Sequence, residues 1–430
     1  MAALLIKNGR VIDPASGLDA VRDVLIEEGK IKFIKTKLHS TKAKIIDAKG
    51  KLVLPGLIDM HTHLRDPGRP DKETIASGTR AAARGGFTTV CCMANTEPVL
   101  DSPALIEYIR TKAAATGMVN VYPIGAVSKG LAGEELVEMG LMAEEGAVAF
   151  SDDGKPIMKA DMMRRALEYS KQFGLPIIAH CEDRELAHGG AMNEGALSTA
   201  IGLPGIPALS EEIMVARDVM LAKHYGQVHI AHVSSGKSVD IIRQAKKKNS
   251  SVSCETCPHY FSLTEEAVAN YDTNAKVNPP LKTAQDVAAV IKGLKDGTID
   301  VIATDHAPHN VEEKKVEFNR AAFGLVGLET ALALVLTKLV NTKHLTLKEA
   351  VAKLTSAPAK ILNFKNKGRI AVGADADVII VDPKSEWEVD PLQFASKSKN
   401  TPFTGWKLQG KVLFTIVGGK VVVRDGKLQD

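Results

Sequence analysis

Several things are scarce in this chain of 430 residues, and each scarcity removes a class of function. There are five cysteines, Cys91, Cys92, Cys181, Cys254 and Cys257. They are few and odd in number, which argues against a disulfide framework and for a reducing, cytoplasmic setting. Cys254 and Cys257 have the spacing of a zinc or redox pair. No second pair accompanies them and their segment reads as a strand, so both are expected to be buried thiols. Aromatic residues make up 4% of the chain, too few for a base-stacking surface. Neither sign of charge dominates: 55 Lys and Arg against 51 Asp and Glu leave +4. The short basic run Lys246-Lys247-Lys248 reads as a solvated helix end, and no nucleic-acid partner is expected. No apolar run is long enough to span a bilayer, and residues 1–9 turn polar too soon for a signal peptide. The remainder, 45% hydrophobic and 25% charged, is the composition of a soluble globular protein with length for a large core and more than one domain.

Both ends of the chain read as short strands. Residues 4–7, 24–26 and 31–34 are separated by glycine turns, and residues 376–381 and 412–417 are followed by Gly418-Gly419 and a further strand at 420–423. The middle alternates between apolar strands and helical stretches. Eight strand candidates end in polar residues: 57–59 before His61 and His63, 88–90 before Asn95, 119–122 before Ser128, 147–150 before Asp152 and Asp153, 176–179 before His180, 228–231 before His232, 251–254 before His259, and 301–304 before Asp305. Ser102-Pro103 supplies a capping hydroxyl before a proline suited to the first helical position. The segment 211–225 carries a wide apolar stripe that includes Ile213, Val215, Val219 and Met220. The expected fold is an α/β protein with a (β/α)8 barrel and a small discontinuous β-sandwich domain from both termini. The boundaries fall at 1–54, 55–367 and 368–430. A doubly wound open sheet fits less well, because the polar residues follow all eight strands and not one switch point.

His61-Thr62-His63 ends the first barrel strand. Alternate residues of a strand share a face, so two imidazoles so spaced can close on one metal ion. His180, His232 and Asp305 end the fifth, sixth and eighth strands and reach the same mouth. Four imidazoles and a carboxylate exceed the needs of one open catalytic zinc, which takes three protein ligands. Two metals sharing a bridging anion would use them better. Asp152-Asp153 supplies that anion, and only one of the pair can face the mouth. His39, His188, His224 and His344 read as surface residues and His229 as structural. Arg65, two residues beyond His63, reaches the same mouth, where a guanidinium can bind a carboxylate in bidentate fashion.

Taken together the strings His61-Thr62-His63-Leu64-Arg65-Asp66-Pro67-Gly68, Met93-Ala94-Asn95-Thr96, Phe150-Ser151-Asp152-Asp153-Gly154, His180-Cys181-Glu182-Asp183, His232-Val233-Ser234, Glu255-Thr256-Cys257-Pro258-His259, Val277-Asn278-Pro279-Pro280-Leu281 and Ala303-Thr304-Asp305-His306-Ala307-Pro308-His309 resemble the amidohydrolase superfamily. Within it they resemble the class I bacterial dihydroorotases, along essentially the whole chain. The resemblance implies reversible cyclisation of N-carbamoyl-L-aspartate to L-dihydroorotate in pyrimidine synthesis. It implies two zinc ions, one held by His61, His63 and Asp305, the other by His180 and His232, with Asp153 at the bridge. Hydantoinases and allantoinases place a carbamylated lysine there; an aspartate matches the Asp-bridged bacterial branch. Asp305, touching metal and water, is the expected proton carrier. Asn95 and His309 are implied as helpers of Arg65, and Asn278 as a contact to the ring edge. The charged, then glycine-containing stretch 310–327 reads either as a lid or as a surface loop. A homo-oligomer is expected, and an aspartate transcarbamoylase is a possible partner. The competing functions are an allantoinase or hydantoinase, or a non-catalytic dihydroorotase-like partner of the transcarbamoylase.

Overall fold

A computed structural model describes residues 3–248 and 251–429. The outermost residues of the expected terminal segments, 1, 2 and 430, lie outside the described residues. Strands Leu57–Thr62, Phe87–Cys92 and Asn120–Pro123 pair in parallel, and so do Ile177–Ala179, Val228–Ile230, Val252–Thr256 and Val301–Ile302. Phe150 joins the two groups, bridged in parallel to Gly125 on one side and Ile177 on the other; Thr62 bridged to His306 closes the ring. The fourth barrel position is therefore one bridged residue and not the strand expected over 147–150. Hydrogen bonds to both neighbours persist, from Gly125 N–H to Ala149 (3.0 Å) and from Ile178 N–H to Phe150 (2.8 Å). The chain then turns so that Asp152 accepts from the N–H groups of Val127 (2.7 Å) and Ser128 (3.1 Å).

Short parallel strands are stable here because both faces are covered. Met60, Cys91, Ile124, Ala149, Ile178, Ala231 and Val301 fill the lumen. Leu57, Phe87, Val90, Ile177, Val228 and Cys254 face the helices. All five cysteines are buried free thiols. Helix Pro103–Thr116 begins at its proline as expected, but the Ser102 hydroxyl caps no backbone group; the fixed φ of proline sets the start. Helix Leu209–Ala222 starts two residues earlier than expected and buries Met214, Val215, Val219 and Ala222. Ile213 and Met220, one heptad apart on another face, stand in solvent at 44% and 70% exposure, so the apolar stripe is narrower than the sequence suggests.

The terminal segments share one hydrogen-bonded network of nine strands among the described residues. Leu4–Asp13 pairs in parallel with Lys44–Asp47 through its first half and with Leu52–Pro55 through its second. Leu52–Pro55 pairs in turn with Val378–Glu388, which joins the two ends of the chain. Ile6, Val11, Val24, Ile31, Val53, Val378, Ile380 and Ile416 form its separate core. The strands Val378–Glu388 and Lys407–Val417 are antiparallel neighbours. Their connection, residues 389–406, is long and runs back to the barrel mouth.

Candidate active site

The polar residues that end the barrel strands converge on Asp153. Its Oδ1 lies 3.5 Å from His61 Nε2, His180 Nδ1 and His232 Nε2, and its Oδ2 lies 3.5 Å from His63 Nε2. Asp305 Oδ1 is 3.0 Å from His63 Nε2 and 3.6 Å from His61 Nε2. His180 Nδ1 and His232 Nε2 are 2.8 Å apart. All six side chains are buried. Of the adjacent aspartates, Asp153 is the one in the mouth. Asp152 faces away and is saturated by Val127, Ser128 and the Ser128 hydroxyl.

Three site residues have left-handed backbone: Arg65 (φ 57°), His232 (φ 36°) and Asp305 (φ 48°). Such conformations are unfavourable for residues with a Cβ and persist where the surroundings dictate them. Each lies just past the end of a strand, where the chain must swing its side chain over the mouth.

Two of the imidazoles are fixed from behind. His61 Nδ1–H donates to Glu255 Oε1 (2.6 Å) and His63 Nδ1–H to Asn95 Oδ1 (2.8 Å), so both Nε2 atoms face the cluster. Glu182 Oε2 stands 3.5 Å from His180 Nε2. Carboxylates and amides behind metal-binding imidazoles do this work generally. Glu255 is the residue that sequence reasoning missed. Its other oxygen lies 3.2 Å from His229 Nε2, and His229 Nδ1 bonds Ser253 Oγ (2.8 Å). The signal was a carboxylate inside an apolar barrel strand, which must be paired if buried. His39, His188, His224 and His344 are exposed, as expected.

The carboxylates and imidazoles of this cluster favour one another's charged forms. Burial alone would depress the pKa of His61, but Asp153 and Asp305 outweigh it and raise the group well above its usual value. Burial also opposes charge on His180, yet Asp153 and Glu182 lift it to about 10. Burial would raise Asp153, and His61, His180 and His232 instead hold it well below the carboxylate range. His61 Nε2 and Asp153 Oδ1 are buried without a hydrogen-bond partner. Ligand atoms of His61, Asp153 and His232 lie within 4.8 Å of one another, as do those of His61, His63 and Asp305. Nitrogen and carboxylate donors in this arrangement fit divalent zinc. No other cluster of this kind occurs among the described residues.

A second wall of the mouth is cationic. Arg65 Nε donates to Pro308 O (3.2 Å), and its Nη2 lies 3.4 Å from His309 Nε2. Burial lowers the Arg65 pKa, although a guanidinium stays protonated. Burial and the Arg65 charge bring His309 down to about 3, and Glu313 works against them. His309 lies 2.8 Å from both Glu313 Oε2 (through Nδ1) and Phe323 O (through Nε2). Lys72 and Arg69 reach Glu313 Oε1 at 2.8 and 3.2 Å, so two cations flank one carboxylate. Asn95 stands behind the metal cluster, its Oδ1 on His63 and its Nδ2 3.4 Å from Asp153 O. Asn278 Oδ1 is buried without a partner, and its side chain bonds Glu182.

The stretch 310–327 is packed down. Lys276 Nζ donates to Phe318 O (2.7 Å) and Asn319 O (3.0 Å), and Lys314 Nζ to Ala322 O (2.8 Å). Phe318 and Leu325 join a core with Cys257, Tyr260 and Val277. An open cavity of about 770 Å³ is lined by Pro176, Ser253, Asp300 and Lys353 and contains none of these site residues.

A family model for the Amidohydrolase family matches residues 52–422. The dihydroorotase of Acetivibrio thermocellus is 56% identical over 423 residues, covering 98% of this chain and 99% of that protein. The dihydroorotase of Pelotomaculum thermopropionicum is 57% identical with the same coverage. Among solved structures, the L-hydantoinase (dihydropyrimidinase) from Arthrobacter aurescens superposes with a TM-score of 0.90 at 27% identity, covering 100% of this chain and 98% of that one.

Proposed function

The chain belongs to the amidohydrolase family, and from that premise we propose a zinc-dependent dihydroorotase of the class I bacterial kind. Dihydroorotase activity accords with relatives 53–57% identical over nearly the whole chain. The reaction is the reversible closure of N-carbamoyl-L-aspartate to L-dihydroorotate. The observation that carries this reading is one mouth with two walls: an imidazole–carboxylate cluster suited to metal beside a half-buried guanidinium suited to a substrate carboxylate.

His61, His63 and Asp305 would hold one zinc and His180 and His232 a second, with Asp153 between them. When bound, the metal supplies Lewis acidity and makes water acidic near neutral pH. The protein's own groups do the rest. In ring opening Asp305 accepts the proton of the attacking water and passes it to the departing ring nitrogen; in closure it takes the ureido proton. Arg65 binds the exocyclic carboxylate, with Asn95 and His309 beside it, and Asn278 meets the ring edge. Asn95 also fixes the His63 tautomer, which ties the metal wall to the substrate wall.

A neutral hydantoin or allantoin ring has no carboxylate to occupy Arg65, which favours dihydroorotate over those substrates. A non-catalytic role is disfavoured because all six ligand positions are filled. The proposal includes a homo-oligomeric, cytoplasmic enzyme with an aspartate transcarbamoylase as a candidate partner, to be tested by solution mass and co-purification. The deciding experiment is metal analysis of the purified protein together with turnover of dihydroorotate, hydantoin and allantoin. One to two zinc per chain and preference for dihydroorotate are expected. Hydantoin turnover without dihydroorotate turnover would overturn the reading.

A further inference from the structure

The connection 389–406 belongs to the terminal sheet by sequence, yet its middle lies against the loops that carry Arg65 and His309. Asn400 is buried, and its side chain meets three backbone groups. Its Oδ1 accepts from His309 N–H (3.2 Å), and its Nδ2 donates to Ala307 O (3.2 Å) and Gly324 O (3.0 Å). One N–H and two carbonyls match the one acceptor and two donors of a carboxamide, so neither an aspartate nor a leucine can replace it without leaving a buried group unpaired. Its own carbonyl accepts from Val326 N–H (2.9 Å). Gly324 holds φ 133°, and a Cβ there would stand 2.9 Å from Ala307 O and 3.2 Å from His309 Cδ2. The contact is thus too close for any side chain, and Asn400 clasps it.

The same connection grips the loop that follows Arg65. Ser398 Oγ donates to Lys72 O (2.8 Å), Ser396 Oγ bonds Glu73, and Lys397 N–H reaches Glu73 Oε1 (3.3 Å). One strap therefore holds both loops, and Arg65 touches His309 between them at 3.4 Å. None of these strap residues touches the place where substrate would react.

We propose that this strap, through Asn400 and Ser398, positions Arg65 against His309 and so sets how tightly the site grips the carboxylate of its substrate. Asn400 is a positioning residue in this assignment, and the inference rests on the dihydroorotase reading above. It links the terminal sheet to substrate affinity while leaving the metal cluster alone.

The test uses Asn400→Ala in the zinc-loaded full chain. Its KM for dihydroorotate should rise about tenfold with kcat within about threefold of the parent, and zinc content should be unchanged. In a cycle with Arg65→Met, the Asn400 effect on KM should largely vanish, because the group it positions is gone. A folded Asn400→Ala protein with the parent KM, or effects that simply add in the double variant, overturns the proposal. Should Asn400→Ala fail to fold, Ser398→Ala is read by the same criteria. A parent protein that does not turn over dihydroorotate sinks the functional reading instead, which keeps the two failures apart.

Discussion

The two walls of the mouth are built on opposite principles. The metal wall is made of side chains at the ends of barrel strands. His61 and His63 are held from behind by Glu255 and Asn95, while His61 Nε2, His232 Nδ1 and Asp153 Oδ1 are buried without a hydrogen-bond partner. The clamp wall is made of side chains on loops, and its inward groups are already engaged by protein, Arg65 by Pro308 and His309 by Glu313 and Phe323. On the reading proposed above, the first wall would be completed by a cation. The second is satisfied by the protein's own groups. Metal removal should therefore produce the largest and most one-sided effect. A chelator should abolish turnover and lower the melting temperature, since six buried donors lose their common centre. Added zinc should restore both. Turnover that survives with less than a tenth of an equivalent of metal would break the distinction.

Within the metal wall, Asp305 has a double position, 3.0 Å from His63 and on a strained backbone that holds it over the mouth. Asp305→Asn should retain most of the zinc and lose about 10²–10⁴-fold in kcat, as removal of a proton carrier does. Near-parent kcat in the metal-loaded variant would move the proton transfer to another group. Across the mouth, Arg65→Met removes a charge-assisted contact of about 2–3 kcal/mol. The expected result is KM raised about 30- to 100-fold with kcat changed little, measured by steady-state kinetics at fixed zinc. A loss confined to kcat would show that the two walls are not separable in this way.

The sequence makes the two walls unequally legible. The metal wall is read easily because each ligand directly follows an apolar strand, and strand ends of a closed barrel meet at one mouth whatever the helices do. The barrel itself is legible for the same reason. Its fourth strand is not, because pairing there is limited to Phe150 and the turn is governed by Asp152 reaching Val127 and Ser128. Adjacent Asp152 and Asp153 could be told apart only by that turn or by family likeness. Glu255 was hidden differently: its partner His61 is 194 residues away, and nothing local says which buried carboxylate serves which imidazole. The supports of the clamp wall are harder still. Asn400 lies 91 residues from His309 and 76 from Gly324, in a segment whose composition speaks only of a loop between two strands. Local pattern finds side chains that act at strand ends; it does not find a carboxamide that satisfies three distant backbone groups.

The smallest expected effect tests whether the strap is anchored independently of the metal wall. Glu329 Oε1 accepts from the N–H groups of Ala395 (2.8 Å) and Ser396 (3.2 Å) at the root of the strap. Burial raises its pKa to about 7 from 4.5, opposed by Arg84 at 3.4 Å. The folded state then holds this proton more tightly than the unfolded chain. Its stability relative to a variant without the charge must fall as pH rises from about 4.5 to about 7, and the full penalty is present above that window. A shift of this size corresponds to about 3 kcal/mol at most. Glutamine keeps the acceptor for both N–H groups and loses only a partly exposed ion pair, worth below about 1 kcal/mol. Glu329→Gln should therefore be more stable than the parent by about 1–2 kcal/mol at pH 8 and indistinguishable from it near pH 4.5, read as denaturation midpoints at both pH values. Zinc content and kcat should not move. An equal difference at both pH values would mean that Glu329 is charged throughout, and that the strap root is held by an ion pair with Arg84 and not by a protonated acid accepting two backbone bonds.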